Sequence, residues 1–329
     1  MATIGNTYLS LIDLYKNQEG GEVAALIIEQ LMQLNPILAD MRVEECNQGA
    51  MHLTSIRSGI PEPTWRSLYQ GVQPTKSTVK QVQDTTGMLE AWSEIDKKLV
   101  DLSRNPGQFR QNEAAAFLQG MANEMAATVF YGTGADEFTG LAPRFNSIGA
   151  ENGGQIVDAG GTGSDNTSIW MVVWGDQTCH GLYPQGSMAG LQREDKGEQT
   201  KTNSDGGLYD VVREKFTWDL GLTVRDWRYV SRIANIDVSE AQAGNVELYS
   251  FLRKAYYKLK QRQTPNGQAV IYANTDMMEV LDALATNNGT TDAYVRLMPT
   301  EIKGEQVLTY RGIPIREVDA LLNTEARVV

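Results

Sequence analysis

No chain can wind residues 58–77, SGIPEPTWRSLYQGVQPTKS, into a helix or thread them through the middle of a sheet. Pro61, Pro63 and Pro74 offer no amide donor, and Gly59 and Gly71 punctuate what remains. Trp65, Leu68 and Tyr69 are nevertheless too apolar for a free linker. On one side MHLTSIR, 51–57, alternates apolar with polar residues, the period of a half-buried strand, and on the other TVKQVQDTTGML, 78–89, is a second β-like run. The order strand, turn-rich excursion, strand predicts a projecting flap that holds its aromatic side chains away from any local core.

Elsewhere the periodicities are conventional. EVAALIIEQLMQL, 22–34, spaces Val23, Leu26, Ile27, Leu31 and Leu34 as one short amphipathic helix before Asn35-Pro36 interrupts it. NEAAAFLQGMANEMAATVFY, 112–131, predicts a long helix with Phe117, Met121, Met125 and Val129 along one stripe and Asn112 as its N-cap. The glycine-rich stretch 132–166 reads as loop. SIWMVVWG, 168–175, is continuously apolar, as a strand buried on both faces would be. From Trp218 to Val224 the apolar residues hold even positions, then shift to Trp227 and Tyr229, a slip that predicts a bulge or bend within one long strand. Past Asn235-Ile236-Asp237 come a helix over 245–262, the short strand AVIYA and a helix over 275–287. The chain closes on a hairpin whose turn is Arg311-Gly312, and Pro314 assigns its second arm to a sheet edge. The fold class is α+β.

The chemistry these residues could perform is sparse. With 329 residues, 41% hydrophobic and 21% charged, the chain has ample material for a core and is not disordered in composition. No apolar run approaches the roughly 18 residues of a membrane span, and the N-terminus lacks the pattern of a signal peptide. Cys46 and Cys179 read as reduced thiols rather than a disulfide framework. His52 and His180 are the only histidines; Cys179 and His180, as strand neighbours, would point to opposite faces and not share a metal ion. GGTGSD, 160–165, lacks the lysine and the helix of a phosphate loop, and REDKGEQTKTNSD, 193–205, reads as a solvated turn. No catalytic residue, cofactor site or metal site is expected.

Charge is unevenly distributed. The formal net charge is −12, which would repel nucleic-acid phosphates and argues against sequence-specific binding of DNA or RNA. Residues 1–50 carry seven acids against Lys16 and Arg42, a net −5, whereas 55–80 carry Arg57, Arg66, Lys76 and Lys80 against Glu62, a net +3. An acidic arm beside a basic flap can pair within one molecule or between neighbours.

The succession of flap, long helix NEAAAFLQGMANEMAATVFYG, strands SIWMVVWG, GLYPQGSMAGL and LTVRDWRYVSRIANID, and closing YRGIPIREVDAL resembles the major capsid proteins of tailed bacteriophages, the Hong Kong 97-type or Johnson fold, in the version of epsilon15-like short-tailed phages. The resemblance implies an N-terminal arm (1–50), an extended loop (51–92), a peripheral domain (93–235) with the spine helix 112–131, and an axial domain with the closing strands (236–329). It implies a structural coat protein without enzymatic activity or cofactor. Many copies would form hexamers and pentamers of an icosahedral shell, first a procapsid around scaffolding proteins, which expands as double-stranded DNA is pumped in.

Implied partners are other copies of the chain, scaffolding and portal proteins, a cement protein where one exists, and DNA held without sequence specificity. The place implied is the virion, after assembly in the host cytoplasm and with no membrane contact. Many such proteins lose an N-terminal segment; the moderately short arm here suggests no large removed piece. Trp65, Arg66 and Tyr69 become candidates for packing on an adjacent subunit, with Arg57, Arg66 and Lys76 facing a neighbour's Glu44 or Glu45. Two other readings stay open on sequence: an α/β enzyme or binding domain whose flap is a lid, and another virion component such as a decoration or portal protein.

Overall fold

The strand Asn166–Trp174 is buried along all nine residues and its alternate side chains serve two separate cores. Trp170, Val172 and Trp174 join Met125, Ala126, Val129 and Phe130 of the long helix, whereas Ile169, Met171 and Val173 join Leu248, Leu252, Met277 and Leu281. A strand covered on both faces must be apolar throughout, so the expectation at 168–175 holds. The structure, a computed structural model, describes residues 18–19, 23–24, 35–103, 105–259, 267–286, 297–302 and 305–329.

The sheet grows outward from this strand. One edge pairs antiparallel with Val230–Asp237 and the other with Gln268–Ala273, beyond which lie Ile313–Glu317, Glu305–Tyr310 and Met298–Ile302. In the other direction Cys179–Tyr183, Leu208–Val224, Thr78–Asp96 and Met51–Gly59 carry the same sheet out to the flap. Helices Leu248–Lys258 and Thr275–Thr286 cover one face, near their expected bounds; residues 260–262 of the first prediction and 287 of the second lie outside the described residues.

The long helix runs from Pro106 to Tyr131, 26 residues and roughly 39 Å. It begins at Pro106 rather than near Asn112 because Asn105 is the cap: its side chain accepts from the Gln108 amide at 3.3 Å, and proline suits the first helical position. Asn112 sits inside the helix and accepts from Gln108 Nε2 at 2.9 Å. The apolar stripe docks on three clusters in turn. Phe109 meets Ile95, Leu99 and Val212; Met121 meets Phe216, on which Phe117 stacks at 5.7 Å; Met125 and Val129 reach the central core.

Several sequence expectations are corrected. Residues 193–205 are no solvated turn: Gln192–Thr202 is an eleven-residue strand along Leu208–Val224, tied by Asp195 to Arg110, Glu198 to Lys97 and Lys201 to Glu94. Its charges serve as an edge-strand surface, which discourages further pairing. The phase slip after Val224 ends the strand: a 3-10 turn, Trp227–Tyr229, capped by Asp226, separates it from Val230–Asp237.

The stretch 132–166 is not all loop. It holds the short helix Leu141–Arg144, a strand at Ile156–Asp158 and the buried Phe138, Leu141 and Phe145. Its glycines permit close approach, since a Cβ on Gly132 would lie 2.3 Å from the Phe138 carbonyl oxygen. The helix expected at 22–34 is replaced at Val23–Ala24 by a strand paired with Gln18–Glu19, and 22 and 25–34 lie outside the described residues.

Pro314 is not on an edge strand, because Ile313–Glu317 has neighbours on both sides. It is accommodated by register. Arg311 and Gly312 both take positive φ, 52° and 82°, the pattern of a tight two-residue turn. Such a turn makes Tyr310 and Ile313 the hydrogen-bonded pair, which leaves Pro314 in the non-bonded pair with Thr309; the parallel ladder on its other side starts only at Ile315.

Candidate inter-subunit surface

The flap is a cantilever on one shared strand. Residues 78–85 of Thr78–Asp96 pair with Met51–Gly59, and residues 86–96 pair with Leu208–Val224, so the support changes between Thr85 and Thr86. The flap register slips between Arg57 and Gly59, where the ladder ends and the excursion begins. Residues 60–77 carry no helix or strand, and every one is exposed. A small turn shapes the tip: Gln70 N donates to Ser67 O at 3.2 Å, Arg66 Nε donates to Gln70 O at 3.1 Å, and Tyr69 between them has φ +64°.

Trp65 and Tyr69 are 101% and 100% exposed, and Ile60 and Leu68 nearly as much. A subunit gains no hydrophobic stabilisation from side chains so placed, and several large apolar side chains left in water on one segment mark an interaction surface. Arg57, Lys76 and Lys80 are exposed along the same projection. Leu68 is already marked by its sequence setting beside Trp65 and Tyr69; Ile60 and Val72 are not, and their signal is the same, apolar residues among prolines and glycines where no local core can form.

Glu44 and Glu45 lie on Val43–Glu45, parallel to Cys179–Tyr183. The Glu44 carboxylate is 3.5 Å from Arg42 Nε and 3.6 Å from His180 Nε2, and burial, with Asp176 beside it, raises its pKa above the ordinary glutamate value. Glu45 is exposed and accepts from the Gly186 amide at 3.0 Å. Both acids therefore stand at the body end of the flap and the basic residues stand along it; the structure does not bring the two sets together within one chain.

The flap root is held by buried polar contacts. Asp84 accepts from Arg144 Nη2 at 2.8 Å and Thr223 Oγ1 at 2.6 Å. Opposite Asp84, His52 meets His180 edge-on at 5.9 Å between ring centroids. Sequence reasoning treated these two histidines separately and gave no sign that they meet. The described residues hold no cluster of three or more side chains able to bind a metal ion, and both cysteines are buried and free. An open cleft of about 300 Å³ beside the root is lined by Met88, Glu124, Thr128, Asp136 and Glu137 among others. Glu137 is committed there to Thr133, accepting from its amide at 2.8 Å.

Comparison with known proteins gives a consistent result. The family described as "Major capsid protein GP7" matches residues 18–329. A chain in the near-atomic structure of bacteriophage epsilon15 is 37% identical, with a TM-score of 0.80 over 100% of this chain and 99% of that one. The holo-SrpI encapsulin complex of Synechococcus elongatus PCC 7942 (10% identity, TM-score 0.48, 69% of this chain and 96% of that) and Microbacterium phage Oxtober96 (11%, 0.45, 68% and 98%) are more distant. A search among curated proteins finds no match. The architecture is the α+β Hong Kong 97-like fold. The chain thus belongs to the GP7 major capsid protein family, and it is a structural coat protein of a phage head rather than an enzyme.

Proposed function

We propose that this coat protein closes its shell by laying the tip of each flap on an adjacent subunit, where Trp65, Arg66 and Tyr69 become buried. The observation that supports this is the full exposure of Trp65 and Tyr69 at the end of a projection with no core of its own. Tryptophan, tyrosine and arginine are the residues that most often dominate interface energy. Arg57, Arg66 and Lys76 would face the neighbour's Glu44 and Glu45. Glu45 is the better placed of the two, because Glu44 is half-buried against its own chain.

In this reading the arm (1–50), extended loop (51–92), peripheral unit (93–235) and axial unit (236–329) are the parts that meet in hexamers and pentamers. Assembly starts on a scaffold and a portal, and a cement protein acts where one exists. DNA fills the shell without sequence-specific contact, and the net charge of −12 keeps it mobile against the wall. Electron microscopy and light scattering of the full chain, alone and with its scaffold, test the proposal. Closed shells or capsomers are expected; a strictly monomeric protein under every assembly condition would overturn it.

A further inference from the structure

The two histidines of the chain come from distant parts of the sequence and meet where the flap leaves the body. His52 is the second residue of the outgoing flap strand and His180 lies in Cys179–Tyr183, and both are buried. None of their four ring nitrogens has a hydrogen-bond partner of normal geometry. Unpaired buried imidazoles in a native interior call for an explanation. A neutral pair can stack edge-on, as here; an added proton creates a cation with two donors, for which His180 has only the Gly175 backbone and the Glu44 carboxylate 3.6 Å away.

The groups around the pair make that charge harder to hold. Arg225, which follows the long strand, is a like charge to both rings, and each ring is a like charge to the other once protonated. Of the acids, Asp84 is engaged by Arg144 and Thr223, and Asp176 lies 2.7 Å from Arg42 Nη1. Glu44 approaches no closer than 3.6 Å to His180, and the Gly175 backbone is the remaining polar neighbour of that ring. Burial, the largest cause, and Arg225 hold both imidazoles below the ordinary histidine range, His180 down to about 4.

We propose that the His52–His180 contact is a proton-operated latch at the root of the flap: while both rings are neutral the flap is seated, and protonation of either lets its two strands loosen from the Thr85–Thr86 junction outward. The geometry suits such loosening: among the strands Met51–Gly59 pairs with Thr78–Asp96 alone, its other ties being local ones of Met51 to Gln48 and Leu53 to Asn47, so it can leave His180 without breaking the central sheet. It gives up besides the hold of Arg144 and Thr223 on Asp84. A ring released to water recovers a pKa near 6.5. The seated state therefore keeps its full stability above about pH 6.5 and loses it as pH falls from there toward 4. At pH 5.5 an open root with His180 at 6.5 instead of about 4 is favoured roughly tenfold over its share at neutral pH.

Hydrogen exchange on the soluble full-length chain, corrected for intrinsic rate, tests this without any shell, so its outcome is separable from that of the assembly proposal. Between about pH 7.5 and 5.5, exchange in 51–59 and 78–85 should rise about tenfold while 166–174 stays unchanged. The double replacement His52→Phe with His180→Phe keeps both rings without a proton site and should abolish the rise, and His180→Phe alone should remove most of it. An unchanged flap in the wild type, or the same rise in both variants, overturns the latch. Should neither variant fold, NMR titration of the two wild-type histidines decides: a ring that titrates at about 6.5 or above with the flap still protected overturns it equally.

Discussion

Glu325, four residues before the last, carries the end of the chain into the interior. Its carboxylate accepts from Arg232 Nη2 at 2.9 Å, Tyr131 Oη at 2.5 Å and Ser168 Oγ. Arg232 also donates to the Phe145 carbonyl at 2.7 Å and to Ser168 Oγ at 3.0 Å, and lies 4.9 Å above the Trp170 ring. Tyr131, kept protonated by burial and by the Glu325 charge, accepts in turn from the Leu322 amide at 3.0 Å. Each Arg232–Glu325 side chain is 4% exposed, so desolvation offsets much of their attraction and the pair is weak evidence for net stability. Removing one partner is different, because it strands the other charge. Glu325→Ala should cost about 3–5 kcal/mol in urea unfolding of the soluble subunit. A loss below about 1 kcal/mol would show that the terminal segment is not seated on Arg232.

Elements that satisfy themselves locally were legible in the sequence; those that depend on distant partners were not. The interior of the spine helix and the strand at 168–175 follow one period without competition, and the Arg311-Gly312 turn needs only its own backbone. Gln192–Thr202 hid because its alternation is charge against charge, and the groups that give those charges meaning, Lys97, Arg110 and Glu94, come from two other parts of the chain. The first six residues of the spine helix, from Pro106, fell outside the expected 112–131, though proline opens a helix well. The flap was legible as a projection, whereas the histidine contact at its root is a tertiary event with no local trace. Two predictions belong to this scale. Met121→Asp places a carboxylate against Phe216 and Ala114 and should cost several kcal/mol, read as insoluble protein; normal solubility would mean the stripe is not core. Gly312→Ala meets nothing within 4 Å yet must hold φ +82°, so it should lower unfolding stability by about 1–2 kcal/mol through backbone strain alone.

The molecule as a whole divides its apolar surface into two accounts. Trp170, Trp174 and Phe130 lie in the core and stabilise the subunit. Trp65 and Tyr69, fully exposed, stabilise nothing until a second molecule covers them. If that cover is a neighbouring coat protein, the flap tip contributes to the shell and not to the monomer, and mutation can separate the two. Trp65→Ala combined with Arg66→Ala should leave the thermal midpoint of the isolated subunit unchanged, because the only in-chain bond described for Arg66 is to Gln70 within the same exposed turn. Assembly should suffer, with the yield and salt resistance of particles falling together, as expected when an aromatic and an arginine central to an interface are both truncated, at about 2 kcal/mol or more each. The neighbour's acids add little to this, since exposed ion pairs contribute about 0–1 kcal/mol. The decisive comparison is between the two readouts: a large fall in subunit stability with normal shells would place Trp65 and Arg66 in the monomer's own packing and end the case for the flap as a clasp between subunits.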